Sequence, residues 1–207
     1  MARDRRLRGL LVDFGGVLTT DVFASFREFC EAEGLLPDAV RDRFMEDPRA
    51  RELLSDLETG RLSAAEFEPR FAGLLEVSRP EGLIDRLFAG MRPDEEMLAA
   101  VRAAKRAGVR TGLISNSWGE GRYDRSQFPG LFDGVVISAE VGIRKPDPRI
   151  YELGAAAVDL PPKACVFVDD LGGNLKPARA LGMATVRHVR ADRTIAELEE
   201  LLGVPLR

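Results

Sequence analysis

Five short apolar runs, separated by longer amphipathic stretches, are the feature that most limits how this chain can fold. Short runs without polar alternation are typical of parallel strands that helices cover on both faces. Because parallel strands need crossover connections, the alternation of strand and helix patterns predicts an α/β fold with a doubly wound, mostly parallel sheet. The predicted strands are residues 7–14 (LRGLLVDF), 109–116 (VRTGLISN), 132–138 (FDGVVIS), 164–170 (ACVFVDD) and 184–189 (ATVRHV).

The stretches between the later strands carry the start and stop signals of helices. Residues 93–108 are the clearest case, because Pro93 and three acids fill the first turn, Lys105 and Arg106 lie in the last, and Gly108 follows. The other helices predicted in this part of the chain are residues 147–160, 174–182 and 193–203.

Residues 19–90 differ from the rest of the chain. They contain successive amphipathic helical patterns and no convincing strand. We therefore expect a discontinuous α/β core, made of residues 1–18 and 91–207, with residues 19–90 inserted as a helical unit after the first strand.

The charge and hydropathy of the chain limit its partners. It has 207 residues, 31% of them charged, and a net charge of −4 at pH 7, so there is no electrostatic basis for binding nucleic acid or an anionic membrane. No apolar run approaches the length of a membrane span. The basic start resembles a signal peptide, but Asp13 interrupts its apolar run and no small-residue cleavage site follows. We expect a cytoplasmic protein.

The residues that most often bind soft metals or act as nucleophiles are few. Cys30 and Cys165 are far apart and show no ligand spacing, so we expect both to be buried as small apolar residues in a reducing compartment. His188 is the single histidine and lies in a predicted strand. We expect it to have a structural or surface role, which excludes most histidine-based mechanisms.

Polar side chains stand where the predicted strands end. In an open α/β sheet, ligands bind outside the carboxyl ends of the strands, so polar groups at these positions are candidates for one site. They are Asp13 after the first strand, Ser115 and Asn116 after the second, Asp169, Asp170 and nearby Asn174 after the fourth, and Lys145 just before a predicted helix.

These residue types suit one chemistry. Three carboxylates in one cleft repel each other unless a cation joins them, and Mg²⁺ prefers oxygen ligands that include one or two carboxylates. A lysine and a small hydroxyl group can hold phosphate oxygens, and a carboxylate can attack phosphorus to form an aspartyl-phosphate. Each residue alone also has an ordinary structural interpretation, since Asp and Ser-Asn cap turns, and Lys145 in KPDP can be a solvated residue before a helix.

Taken together, the motifs resemble those of the haloacid dehalogenase superfamily over nearly the whole chain. DFGGV is similar to the first motif of the family (Asp-x-Asp-x-Thr/Val), LISNS to the second, Lys145 in GIRKPDPRIY to the third, and VFVDDLGGN to the fourth. Residues 19–90 stand where many members carry a helical cap. VGIRKPDPRIY and SNSW are most similar to the N-terminal phosphatase-like domain of soluble epoxide hydrolases.

The resemblance implies a role for each candidate residue. Asp13 would be the nucleophile and a Mg²⁺ ligand, with Asp170, Asp169 and the backbone carbonyl of Gly15 completing the metal site. The phosphoryl group of a small phosphorylated substrate would be held at the sites that the resemblance assigns to phosphate. These are Ser115, the backbone of Asn116 and Lys145. We also expect substrate contacts from Gly16, whose backbone can come close to the phosphate, and from Asn174 shortly after the fourth predicted strand.

Gly15 departs from the family pattern. The family carries a second Asp at this position, which donates a proton to the leaving oxygen and then activates water. General acid–base catalysis of this kind contributes roughly 10²–10⁴-fold in rate. The departure leaves the nucleophile, the metal ligands and the phosphate contacts in place.

Three functions remain compatible with this pattern. The first is a Mg²⁺-dependent phosphatase whose missing acid is supplied from elsewhere, with Asp21 and Glu58 as candidates, although either can be an ordinary solvated acid. The second is a sensor that binds metal and phosphate but turns over little. The third is a 2-haloacid dehalogenase, in which Asp13 would attack carbon; the resemblance disfavours it, because those enzymes use no metal and lack an acidic pair such as Asp169-Asp170.

Overall fold

The computed structural model describes residues 7–119, 121 and 123–207 of the chain, and the part of the predicted core formed by residues 1–6 lies outside them. Within the described residues, one five-stranded sheet is surrounded by helices. The strands are β1 (Gly9–Val12), β2 (Arg110–Ser115), β3 (Gly134–Ile137), β4 (Cys165–Asp169) and β5 (Ala184–Arg187). The α-helices are α1 (Val22–Ala32), α2 (Ala39–Glu46), α3 (Pro48–Glu58), α4 (Ala64–Leu75), α5 (Leu83–Leu87), α6 (Glu95–Arg106), α7 (Phe128–Leu131), α8 (Ser138–Val141), α9 (Pro148–Ala157), α10 (Gly172–Ala180) and α11 (Ala191–Leu202).

The strand order β3-β2-β1-β4-β5 places β1 at the centre of the sheet. All four strand pairs are parallel, and Val12 at the end of β1 lies opposite Leu113 of β2 and Val168 of β4. The chain moves outward from β1 in one direction through β2 and β3, and then in the other through β4 and β5. The predicted doubly wound, parallel α/β fold is therefore confirmed, and the carboxyl ends of β1, β2 and β4 are neighbours.

Alternate residues of the central strands pack on opposite faces of the sheet. Leu10 and Val12 of β1 belong to an apolar cluster with α6 and α11, whereas Leu11 belongs to a second cluster with α9 and α10. Strands β1 and β4 are completely buried because helices cover both faces. This explains why their sequences are apolar throughout instead of alternating with polar residues.

Helices α1 to α5 lie between β1 and α6 and have an apolar cluster of their own, centred on aromatic residues of α1 and α4. Ser63 and Glu66 form a capping box at the start of α4. The chain enters and leaves this helical segment through two neighbouring connections, which are joined by an isolated antiparallel bridge between Thr19 and Pro93. The amide of Thr20 donates to the carbonyl of Arg92 at 2.8 Å.

The sequence located the strands and the longer helices but not every boundary. Each strand is shorter than the apolar run that predicted it, and α10 begins at Gly172, two residues before the predicted start. The four-residue helices α7 and α8 were not predicted, since a single turn has no periodicity to detect. Among the described residues, no helix is long and apolar enough to cross a lipid bilayer.

Candidate active site

Three carboxylates meet at the carboxyl edge of the sheet. Asp13 directly follows β1, Asp169 ends β4, and Asp170 follows it. One ligand oxygen from each lies within 4.8 Å of the others. The donor set is all oxygen and carries like charges in a largely buried place, which is the chemistry that fits a hard divalent cation such as Mg²⁺.

Lys145 joins two of these carboxylates. Its Nζ lies 2.7 Å from Oδ1 of Asp13 and 2.7 Å from Oδ2 of Asp169, and the side chain is only 1% exposed. Burial alone would lower the pKa of this ammonium group, but the charges of Asp13 and Asp169 outweigh that effect and raise it. Lys145 therefore carries a fixed positive charge beside the candidate nucleophile.

Asp169 is held from two further sides. Its Oδ1 accepts hydrogen bonds from the backbone amide of Leu171 at 2.9 Å and from Nδ2 of Asn174 at 3.0 Å. The sequence analysis assigned Asn174 to substrate binding, and its side-chain amide donates hydrogen bonds to Asp169. Asn174 also lines the adjoining cavity. These contacts fix the direction of the carboxylate that accepts from Lys145.

The environment of Asp13 disfavours its ionised form in the protein alone. Burial raises its pKa to about 8, an effect that Lys145 opposes and that Asp169 and Asp170 increase. Burial also raises the pKa of Asp170 to about 6, and the neighbouring charge of Asp169 adds to this. A divalent cation at the three carboxylates would reverse these effects, because opposite charge favours the carboxylate form.

The end of β2 supplies a hydroxyl group and an amide. Oγ of Ser115 lies 2.9 Å from the hydroxyl of Tyr123. The side chain of Asn116 accepts from the backbone amide of Lys145 at 2.8 Å and donates to its carbonyl at 3.1 Å. The side chain of Asn116 thus positions the loop that carries Lys145. Only the backbone of Asn116 is predicted to contact phosphate.

Tyr123 is a site residue that the sequence did not indicate. It lies in the loop after β2, lines the cavity and packs edge-on against Phe14, with ring centroids 5.0 Å apart. Burial raises the pKa of its hydroxyl to about 12. A lone tyrosine in a glycine-rich loop has no motif that could have identified it.

The two glycines after Asp13 have different surroundings. Gly16 has φ +71°, and a Cβ atom built on it would lie 2.7 Å from Oδ2 of Asp170. Glycine is strongly favoured at this position, because the left-handed backbone strains any other residue and a Cβ atom would push the Asp170 carboxylate from its present place. Gly15 has no such φ, and a Cβ atom there would meet Cγ2 of Val22 at 3.1 Å.

A cavity of about 420 Å³ opens onto Asp13 from the side of the helical segment. Its wall is mostly apolar and combines residues of α1, α2 and the loops with Trp118. The indole of Trp118 contacts the rings of Phe26, Phe44, Phe67 and Phe88 edge-on. The cavity therefore offers an apolar chamber that ends at a charged floor.

The two acids that the sequence named as substitutes for position 15 lie in different places. Glu58, the last residue of α3, is 5% exposed and lines the cavity. Asp21 caps the start of α1, has a side chain that is 54% exposed, and lines a separate groove together with Asp170. The structure thus brings Glu58, and not Asp21, into the cavity of Asp13.

The two cysteines and the histidine noted in the sequence lie outside the cavity of Asp13. Cys30 and Cys165 are buried free thiols, as expected. His188 is 9% exposed, and its Nδ1 lies 3.0 Å from Oγ1 of Thr194. Neither cysteine lines the cavity, and His188 faces the separate groove.

Comparison with known proteins gives one family. The family model of haloacid dehalogenase-like hydrolases matches residues 7–182. Bifunctional epoxide hydrolase 2 of Sus scrofa is 34% identical over 131 residues, which are 60% of this chain and 24% of that protein. The sesquiterpene phosphatase astK of Aspergillus oryzae is 32% identical over 116 residues, 55% of this chain and 59% of that protein. The chain thus spans less than two thirds of the length of either relative.

Solved structures share the fold. A HAD family enzyme from Bacteroides thetaiotaomicron, crystallised with magnesium and inorganic phosphate, superposes with a TM-score of 0.66. The match covers 88% of this chain and 94% of that one at 20% identity. At this level of identity the similarity concerns the fold alone.

Proposed function

Because this chain belongs to the haloacid dehalogenase-like hydrolase family, we propose that it is a Mg²⁺-dependent phosphatase that works through an aspartyl-phosphate on Asp13. One observation carries this proposal. Asp13 lies within hydrogen-bond distance of a buried, protonated lysine and within one cluster of three carboxylates at the mouth of a cavity. Nucleophile, cation ligands and a positive group for phosphate oxygens are therefore in one place.

The proposed reaction has two displacements at phosphorus. In the first, a carboxylate oxygen of Asp13 forms a bond to phosphorus while the bond from phosphorus to the ester oxygen breaks. In the second, water attacks the same phosphorus and Asp13 leaves as a carboxylate, which releases inorganic phosphate. Mg²⁺ held by Asp13, Asp169, Asp170 and the carbonyl of Gly15 would neutralise charge on the phosphoryl oxygens.

The groups on this chain that would hold the phosphoryl oxygens come from three loops. Lys145 supplies a charge next to Asp13, and Ser115 supplies a hydroxyl oriented by Tyr123. The backbone amides of Gly16 and Asn116 are the remaining proposed donors, although the amide of Gly16 donates to Oγ1 of Thr19 at 3.0 Å in this structure. Asn174 contributes by fixing Asp169.

We assign residues 19–90 the role of a cap over this site. The assignment is supported by the separate apolar cluster of α1 to α5 and by the contribution of that segment to the cavity wall. The paired connections at Thr19 and Pro93 would be the hinge between the cap and the core of residues 1–18 and 91–207. Movement there would open the cavity to substrate and product.

The wall of the cavity favours a substrate whose organic part is apolar. Side chains of Phe23, Phe44, Leu54 and Met91 line the space next to Asp13, together with Trp118. Polar hydroxyl groups of a sugar would lose water against this apolar part of the wall without gaining partners from it. A phosphate ester of an apolar alcohol or phenol fits better, and the relative named as a sesquiterpene phosphatase is in line with this class.

The proposal is tested with purified protein, Mg²⁺ and p-nitrophenyl phosphate. We expect hydrolysis that a chelator abolishes, that added Mg²⁺ restores, and that Asp13→Asn removes. Equal trace rates in the wild-type protein and Asp13→Asn would contradict the proposal and favour a sensor that binds without turnover. Release of chloride from 2-chloropropionate in the presence of chelator would instead favour a dehalogenase.

A further inference from the structure

We propose that Glu58 is the acid–base residue of this reaction and takes the role that Gly15 cannot perform. This inference rests on the proposed phosphatase function. Among the described residues, three carboxylates line the cavity: Asp13, Asp170 and Glu58. The first two belong to the nucleophile and cation cluster, so Glu58 is the carboxylate that remains for proton transfer.

The end of α3 is fixed against the core at this point. The hydroxyl of Ser138 donates to the backbone carbonyl of Glu58 and accepts from the amide of Ser117 at 2.8 Å. Ser138 begins α8, and Ser117 follows the β2 end that carries Ser115 and Asn116. The backbone of Glu58 is therefore tied to the loop that the proposed function assigns to phosphate binding.

The carboxylate of Glu58 is held through one of its oxygens. Oε2 lies 2.7 Å from Nε of Arg144 and accepts from Nδ2 of Asn116 at 3.3 Å. No described residue forms a hydrogen bond to Oε1, and no described side-chain oxygen is both fully buried and without a partner. Glu58 is one of the residues that line the cavity, and we assign its Oε1 to that side. This arrangement orients the group while leaving one oxygen available to exchange a proton.

Outside the nucleophile and cation cluster, the other titratable groups that line the cavity are poor proton donors. Tyr123 has a pKa raised to about 12 by burial, and Lys145 has a raised pKa because it neighbours two carboxylates. The hydrogen bond to Asp42 raises the pKa of Arg41, and guanidinium groups in general do not act as proton donors. A carboxylic acid whose pKa lies near neutrality is better suited to both halves of the reaction.

The electrostatic surroundings of Glu58 support the same role. Burial raises its pKa to about 7, while the charges of Arg144 and Lys145 and the amide of Asn116 lower it by a smaller amount. Tyr123 is the further titratable group that faces it. Glu58 is therefore present in both protonation states near neutral pH.

The proton steps balance over one turnover. As Asp13 bonds to phosphorus, the Glu58 carboxyl group gives its proton to the ester oxygen, directly or through one bridging water, and the alcohol leaves. The resulting carboxylate then takes a proton from the water that attacks the aspartyl-phosphate. Glu58 ends protonated, Asp13 ends as a carboxylate, and the products are the alcohol and inorganic phosphate.

The test compares Glu58→Gln with the wild-type protein on two substrates. Glutamine keeps the shape of the side chain and an oxygen for Arg144 but cannot give up a proton. We expect kcat/KM to fall roughly 100-fold or more for a simple alkyl phosphate, whose leaving group needs protonation. We expect little change in kcat/KM for p-nitrophenyl phosphate, whose leaving group does not.

A second measurement follows the intermediate. With p-nitrophenyl phosphate, Glu58→Gln should release a burst of about one nitrophenolate per protein molecule and then turn over slowly, because water is no longer activated. Intact-protein mass spectrometry should detect a phosphoryl adduct that Asp13→Asn does not form. Added formate should partly restore turnover in Glu58→Ala.

The matched control is Asp56→Asn, which removes a carboxylate from the same helix. Asp56 pairs with Arg61 at 2.7 Å and does not line the cavity, so its loss should leave both substrates unaffected. An equal loss on both substrates in Glu58→Gln, or no loss, would overturn the role of Glu58 while the phosphatase function stands. A wild-type protein without hydrolysis would overturn both.

Discussion

Val22 bounds the space into which a side chain at position 15 would extend, since its Cγ2 atom lies 3.1 Å from a Cβ atom built on Gly15. The backbone of Gly15 is not in the left-handed region, so the obstacle to an acid here is a neighbouring methyl group and not the conformation of the chain. An acid at position 15 therefore fits better when position 22 carries a residue smaller than valine.

We predict that Gly15→Asp combined with Val22→Ala restores activity to Glu58→Gln. The new carboxyl group would stand two residues after the nucleophile, where it can serve the ester oxygen, and Val22→Ala gives it room. We expect at least about a 10-fold recovery of kcat/KM on an alkyl phosphate, within the range of general acid catalysis. Val22→Ala alone in the Glu58→Gln protein is the control, and equal rates with and without the aspartate would contradict the prediction.

Gly16→Ala should remove the cation site. Its Cβ atom would displace the Asp170 carboxylate, 2.7 Å away, and the φ of +71° adds backbone strain of about 1–3 kcal/mol. We expect Mg²⁺ to raise the Tm of the wild-type protein, and we expect Gly16→Ala to lose both this rise and the activity. Gly34→Ala is a matched control, because Gly34 has the same φ of +71° with nothing within 4 Å. It should lower Tm without changing activity or the Mg²⁺ response.

The apolar cavity predicts how activity depends on the length of the substrate. Each methylene group buried in the cavity is worth about 0.8 kcal/mol, so kcat/KM should rise roughly fourfold per carbon along a series of linear alkyl phosphates until the chamber is filled. Leu54→Ser, which places a hydroxyl group on the wall, should flatten this rise. Steady-state kinetics on the series measures it, and a preference for sugar phosphates would contradict it.

The pH dependence should report Glu58. Because burial raises its pKa to about 7, the protonated form persists into the neutral range and is lost as the pH rises further. For an alkyl phosphate, kcat/KM should therefore fall with rising pH above about 7. This alkaline limb should be missing from the profile of Glu58→Gln and from that of the wild-type protein acting on p-nitrophenyl phosphate. Stopped assays over pH 6 to about 9 measure the limb.

The sheet and the residues at its carboxyl edge could be predicted because their signals are local. A buried parallel strand is apolar throughout, and a polar residue that follows it stands at a known edge. Asp13 and Asp169 were found in this way, whereas Lys145 was found from its place before a predicted helix and from the family resemblance. The structure places one oxygen of each carboxylate 2.7 Å from Nζ of Lys145. Their roles in catalysis stay a prediction.

The cavity wall could not be predicted, because it forms only when the helical segment packs against the sheet. Glu58 has the sequence surroundings of a solvated helix end, yet it is buried against Arg144, a residue far along the chain. Tyr123 and Val22 likewise acquire their positions from tertiary packing. The periodicity of a helix shows that one face is buried but not which distant side chain will cover it.

The place of Trp118 has a consequence for how the molecule moves. The residue belongs to the loop after β2, yet its ring is enclosed by four phenylalanines of the helical segment. Any swing of that segment away from the sheet must either strip the indole of this aromatic shell or pull the loop along with it. A movement of the segment that admits a ligand would thus also change the geometry of Ser115 and Asn116, through a single side chain.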